Sequence, residues 1–91
     1  MGLFNFFSSD SLSYDEQVIF SRIRPVIADL LAIDPSEIRP NSRLGEDLGC
    51  DELDVMEIML ECCKIGYSTP PKSERGVRTV RDIIRLIKRY L

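Results

Sequence analysis

Three times along this chain a helix-start signal is followed by apolar residues at helical spacing. Nowhere do apolar and polar residues alternate as a half-buried strand requires. That pattern confines the fold to packed helices. The first start is Ser13-Tyr14-Asp15-Glu16, a capping box in which the Ser13 hydroxyl accepts from the first turn and Glu16 reaches back to the cap. Behind it Val18, Ile19, Ile23, Val26, Ile27, Leu30 and Leu31 form a stripe wide enough to face a core, and the helix is predicted to end near Ala32. Pro25 interrupts the stripe. It removes one backbone hydrogen bond and crowds the preceding turn, so the expectation is a kink there or a helix that starts later than the box.

Asp51 is a good cap for a second helix over about Glu52 to Lys64, with Glu52, Asp54 and Glu57 placing negative charge where the helix dipole favours it. Leu53, Met56, Leu60 and Cys63 share one face, read as the packing face. Asp54, Glu57 and Glu61 share another, facing solvent or a partner. Gly66 and Pro70-Pro71 stop this helix, and Lys72 to Gly76 has room for a short turn. Thr79, with Asp82 at the third helical position, caps a last helix over Val80 to Tyr90 whose core stripe is Val80, Ile83, Ile84, Ile87 and Leu91. Between the first two helices, Asp34-Pro35, Arg39-Pro40-Asn41, Gly45 and Gly49 read as loop, with a helical turn at Pro35 to Ile38. Ile33, Ile38, Leu44 and Leu48 anchor that loop to the bundle, since a structureless loop of such length is uncommon. The fold class is all-α: three main helices plus a short helical turn in residues 13–91, preceded by an apolar extension over residues 1–12.

At 91 residues with 44% hydrophobic and 30% charged side chains, the chain has the balance of one soluble globular domain. No apolar run approaches the ~20 residues of a membrane span, and Met1 to Ser9 lacks a basic leader pattern, so the expected location is cytoplasmic. The crowded Phe4, Phe6 and Phe7 are expected to fold over a groove of the bundle. Cys50, Cys62 and Cys63 read as free thiols in a reducing compartment, and without histidine no metal site is expected. There is no histidine base, catalytic dyad or phosphate-binding glycine loop, so an enzyme is not expected.

The net charge of −3 conceals two opposed regions. Ten acids from Asp29 to Glu61 face only Arg39 and Arg43, a local charge of −8; seven cations from Lys72 to Leu91 face only Glu74 and Asp82, a local charge of +5. One face should be acidic and another basic.

The order of these elements, the loop ending Leu44-Gly45-Glu46-Asp47-Leu48-Gly49 and the acidic helix opened by Asp51-Glu52-Leu53-Asp54 resemble the acyl carrier protein family over roughly residues 14–91. In that family a serine in an Asp-Ser-Leu triplet carries 4′-phosphopantetheine, and the acidic second helix docks on partner enzymes. Asp51, Leu53 and Asp54 match this pattern, whereas Glu52 stands where the attachment serine belongs. The resemblance therefore implies a carrier-like bundle with a vestigial site at Asp51, Glu52 and Leu53 and no prosthetic group expected on Glu52. It also implies a docking face of Asp54, Glu57 and Glu61 toward carrier-dependent biosynthetic enzymes, such as those of lipid biosynthesis. One competing reading is a working carrier of fatty-acid or polyketide biosynthesis modified at an unusual site, for which 4′-phosphopantetheine would be the cofactor. The other is a binder of anionic ligands through Arg78, Arg81, Arg85, Lys88 and Arg89. Nucleic acid is disfavoured by the sequence pI near 4.9 and the acidic helix, and a membrane partner is not expected.

Overall fold

The computed structural model describes residues 11–91, so the residue 1–9 aromatic cluster lies outside the described residues. Helix α1 spans Tyr14–Leu31, a 3₁₀ turn follows at Pro35–Glu37, α2 spans Glu52–Lys64, a second 3₁₀ turn covers Ser73–Gly76, and α3 spans Val80–Arg89. The chain is all-α, as its periodicity requires, and all three helices begin in reciprocal capping boxes.

The first helix starts at its box, with Glu16 N–H donating to Ser13 Oγ at 3.3 Å and Ser13 N–H donating to Glu16 Oε1 at 2.9 Å. It then runs through Pro25 to Leu31, which corrects the alternative of a later start. Packing explains its continuation: Ile23 and Ile27, on either side of the proline, are both fully buried. Tertiary burial of that stripe outweighs a local cost of about 3 kcal/mol. Ala32 ends the helix in the left-handed region at φ 56°, its N–H donating back to the carbonyls of Ala28 and Asp29.

In α2 the predicted packing face is wrong by more than a third of a turn. Leu53, Met56, Leu60 and Cys63 are exposed, and the helix packs through Ile58, Met59 and Cys62 with Val55 partly buried. Positions 55, 58, 59 and 62 follow the i, i+3, i+4, i+7 template completely, whereas 53, 56, 60 and 63 miss its i+4 member. These side chains meet Ile19, Ile23 and Ile27 of α1 and Val80, Ile83, Ile84 and Ile87 of α3 in one core. Of the four loop anchors, Ile38 and Leu44 are fully buried and Ile33 and Leu48 partly so.

The loop is also tied by its backbone to the start of α3. Val80 N–H donates to the Ser42 carbonyl at 3.1 Å, Arg81 N–H to Pro40 at 2.8 Å, and Leu44 N–H returns to Arg78 at 2.8 Å. Asp82 N–H is taken by Thr79 Oγ1 at 3.1 Å, so the loop and the cap together satisfy the donors that a helix start leaves open.

The assignment of faces on α2 is checked by equilibrium denaturation. Ile58→Ala should cost about 2–5 kcal/mol, while Leu60→Ala should stay within about 0.5 kcal/mol. The reverse ranking would mean that α2 packs through its other face.

Candidate functional site

The candidate site is the start of α2 and the cleft beside it. Asp51 holds the cap with extended backbone (φ −99°, ψ −174°). Its Oδ1 accepts from Asp54 N–H at 2.8 Å, and Asp51 N–H donates to Asp54 Oδ2 at 3.1 Å. This reciprocal pair fixes the helix start whatever occupies residue 52. Glu52 is the first helical residue, exposed, and makes no ion pair among the described residues. Its carboxylate is favoured there by about 0.3–1 kcal/mol through the helix dipole.

Leu53, Met56 and Leu60 are 67%, 44% and 61% exposed and run along the outer surface of α2. By helical spacing Glu52 borders that stripe on one side and Glu57 on the other. Contiguous exposed apolar side chains of this kind mark contact surfaces. The acidic trio read from the sequence divides by role. Glu57 is exposed, Asp54 is half-buried and committed to the cap, and half-buried Glu61 accepts from Lys64 Nζ at 2.8 Å.

Beside Glu52 and Met56 opens a cleft of about 1140 Å³. Leu44, Cys50, Val55 and Val77 line it, together with Lys72, Glu74, Arg75 and Arg78. Arg43, also at the cleft, is held by Glu46 and Asp47, both at 3.1 Å, and that pairing keeps the Asp47 carboxyl below its ordinary value. The sequence-predicted basic set does not act as one group. Arg78 stands at the cleft and Arg85 and Arg89 are exposed on α3. Half-buried Arg81 instead donates to Asn41 Oδ1 at 2.9 Å and the Ser11 carbonyl at 3.1 Å, and Lys88 reaches Ser13 Oγ at 3.5 Å. Sequence reasoning missed Lys72 and Arg75 as neighbours of α2, because only the folded turn at Ser73–Gly76 brings them to the cleft.

The chain matches no family model. It is similar to the acyl carrier protein of Helicobacter hepaticus, 31% identical over 70 residues that cover 76% of this chain and 92% of the relative. It is likewise similar to the acyl carrier protein of Wolinella succinogenes, 34% identical over 71 residues covering 77% and 93%. The fold defines a helical carrier-type domain, and these relatives place the chain in the acyl carrier protein family. Members of that family hand substrates to enzymes and are not themselves enzymes. Among the described residues, no helix is long and apolar enough to cross a membrane.

The family's prosthetic group is joined through a phosphodiester to a hydroxyl oxygen. The first turn of α2 has none: Asp51, Glu52, Leu53 and Asp54 present carboxylates and an isobutyl group. The loop serines Ser36, Ser42 and Ser68 stand in no Asp-Ser-Leu triplet, and the triplet Asp10-Ser11-Leu12 lies ahead of α1 in the sequence, not at the start of α2. Buried Ser42 accepts from Arg39 N–H through Oγ at 2.9 Å, Ser68 Oγ lies 3.4 Å from Cys63 Sγ, and Ser36 sits in the first 3₁₀ turn. The residues at this helix start do not fit covalent attachment of 4′-phosphopantetheine.

The thiols differ by environment. Burial pushes the Cys62 thiol up to about 12, and burial with the nearby Asp54 and Asp51 charges raises Cys50. Cys63 is exposed. An aromatic disulfide reagent at pH 8 should therefore label Cys63 first and Cys50 more slowly, reaching Cys62 only on unfolding. Equal labelling of all three in the native protein would contradict this burial pattern.

Proposed function

We propose that this chain works as an acyl carrier protein-family adaptor. It binds carrier-dependent biosynthetic enzymes through the outer face of α2 and bears no prosthetic group on residue 52. The observation that carries the reading is the pairing at one helix start of a carboxylate at position 52 with an outward stripe of Leu53, Met56 and Leu60. The capping pair Asp51 and Asp54 supports it, because it holds the start of α2 without a serine. Exposed leucines between glutamates suit a partner groove with an apolar floor and a basic rim. Charges at its edge govern encounter and partner choice, and the apolar contacts hold the complex. The helix also presents a fixed negative charge at residue 52, where a partner that reads a phosphate would meet one.

Intact-protein mass after co-expression with a phosphopantetheinyl transferase tests the absence of attachment. The unmodified mass is expected for the natural chain, and the added prosthetic group is expected on Glu52→Ser, whose cap at Asp51 is untouched. A mass increase on the natural chain would overturn the adaptor reading in favour of a working carrier modified elsewhere.

A further inference from the structure

The chain enters its described part at a fixed point. The Ser11 carbonyl accepts from Arg81 Nη1 at 3.1 Å, the Leu12 carbonyl accepts from Gln17 Nε2 at 3.0 Å, and the Leu12 side chain packs against the core. Ahead of that point stand Leu3, Phe4, Phe6 and Phe7, four large apolar side chains within five residues, in a stretch whose only charged side chain is Asp10. Arg81 also donates to Asn41 Oδ1, and Asn41 and Arg81 each stand two residues from a residue that lines the cleft, Arg43 and Thr79. Two residues span at most about 7 Å. From Ser11 the chain back to Phe7 reaches about 14 Å, and back to Phe4 about 25 Å. The second groove, lined by Val26, Leu30, Ile33 and Pro35, lies toward the other end of α1. Val26 alone is about 18 Å along the helix axis from Tyr14, farther than Phe7 reaches.

We propose that the apolar segment over residues 3–7 fills the cleft beside Glu52 and Met56 of its own chain. The apolar lining is recessed: Leu44 is buried and Cys50, Val55 and Val77 are half-buried, whereas the charged lining side chains, Glu74 apart, are exposed. Four cations and four acids line the cleft, and Arg43 is already paired with Glu46. Such a site offers a charged ligand no net attraction and suits an uncharged apolar one. Aromatic rings match it further, because guanidinium groups such as those of Arg75 and Arg78 stack on ring faces. Arg24 already does so over Phe20, at 5.2 Å from the ring centre. The volume of about 1140 Å³ has room for several rings, since a cleft of ~300–1,000 Å³ holds a drug-sized ligand. The short connection to Ser11 gives the segment an effective concentration on the order of mM at the cleft, so a contact too weak to form between separate molecules is populated within one. The seated segment covers Met56 and the cleft side of Glu52 and competes with any protein that docks there. That consequence rests on the adaptor reading, whereas the contact itself does not.

Nuclear Overhauser contacts in the isotopically labelled full chain read the seating directly. Ring protons of Phe4, Phe6 or Phe7 should show cross-peaks to the Val55 and Val77 methyls, with relative intensity unchanged over a roughly tenfold range of protein concentration. In F4S/F6S/F7S those cross-peaks should be lost and the Val55, Val77 and Met56 methyl resonances should move, while the Ile83 and Ile87 methyls of the core stay in place. Contacts of Phe20, the fourth phenylalanine, should persist in that variant. Absence of ring contacts to Val55 and Val77 in the natural chain overturns the proposal, and so do methyl resonances that the triple substitution leaves unmoved. Contacts that run instead to Leu53 and Leu60, or to Ile33 in the second groove, overturn it equally. Contacts that grow with concentration overturn it as well, since they place the segment on another copy. No enzyme is present, so failure of enzyme docking in a separate assay leaves this result standing, and absent ring contacts leave the docking reading standing.

Discussion

The start of α3 is held by the long loop, and the site depends on that clasp. Val80 and Arg81 donate to the Ser42 and Pro40 carbonyls, while Leu44 donates to Arg78. Leaving such donors unpaired in a buried setting costs about 1–3 kcal/mol each. The exchange therefore pins a segment that has no regular structure of its own. With it pinned, Ile38 and Leu44 enter the core, and Arg43 is set at the cleft between its acidic neighbours Glu46 and Asp47. The chain then reaches Asp51 in the extended conformation from which α2 begins.

The rotation of α2 about its own axis follows from the core. Ile58, Met59 and Cys62 fill the space offered by the isoleucines of α1 and α3, so Leu53, Met56 and Leu60 turn outward. Burying one such side chain is worth about 1.5–3 kcal/mol, and three fully or largely buried against a rigid neighbour set fix the helix face. The exposed face of α2 is the complement of the packing choice. Glu52 and Met56 of α2 and the side chains of Lys72, Arg75 and Arg78 line one cleft, although the sequence places them more than a helix apart.

Much of this was legible in the chain itself. The caps at Ser13, Asp51 and Thr79 locate all three helices because capping depends on residues within one turn, and α2 begins and ends where the sequence places it. The sequence left open whether α1 continues through Pro25 or starts after its capping box, since burial of Ile23 and Ile27 on either side is a tertiary effect. The face of α2 was misread for a subtler reason. The helix carries two apolar stripes, and the choice between them turns on the shape of the remaining core, although the complete four-residue template at Val55, Ile58, Met59 and Cys62 favoured the observed one. At the site, Glu52 and Glu57 stand exposed where periodicity puts them, but Arg81 joined the loop instead of a basic contact face, because its partners at Ser11 and Asn41 are distant in sequence.

The central claim is binding through the outer face of α2 without covalent attachment. An NMR titration of the isotopically labelled chain with the carrier-dependent enzymes of its own cell, with intact mass recorded on the same sample, tests it most directly. The account predicts perturbed amides concentrated between Glu52 and Leu60, weakened by salt and lost on Leu60→Ser, with the mass unchanged. Binding that appears only after the chain gains mass, or perturbations centred on Arg85 and Arg89 with α2 silent, would contradict it.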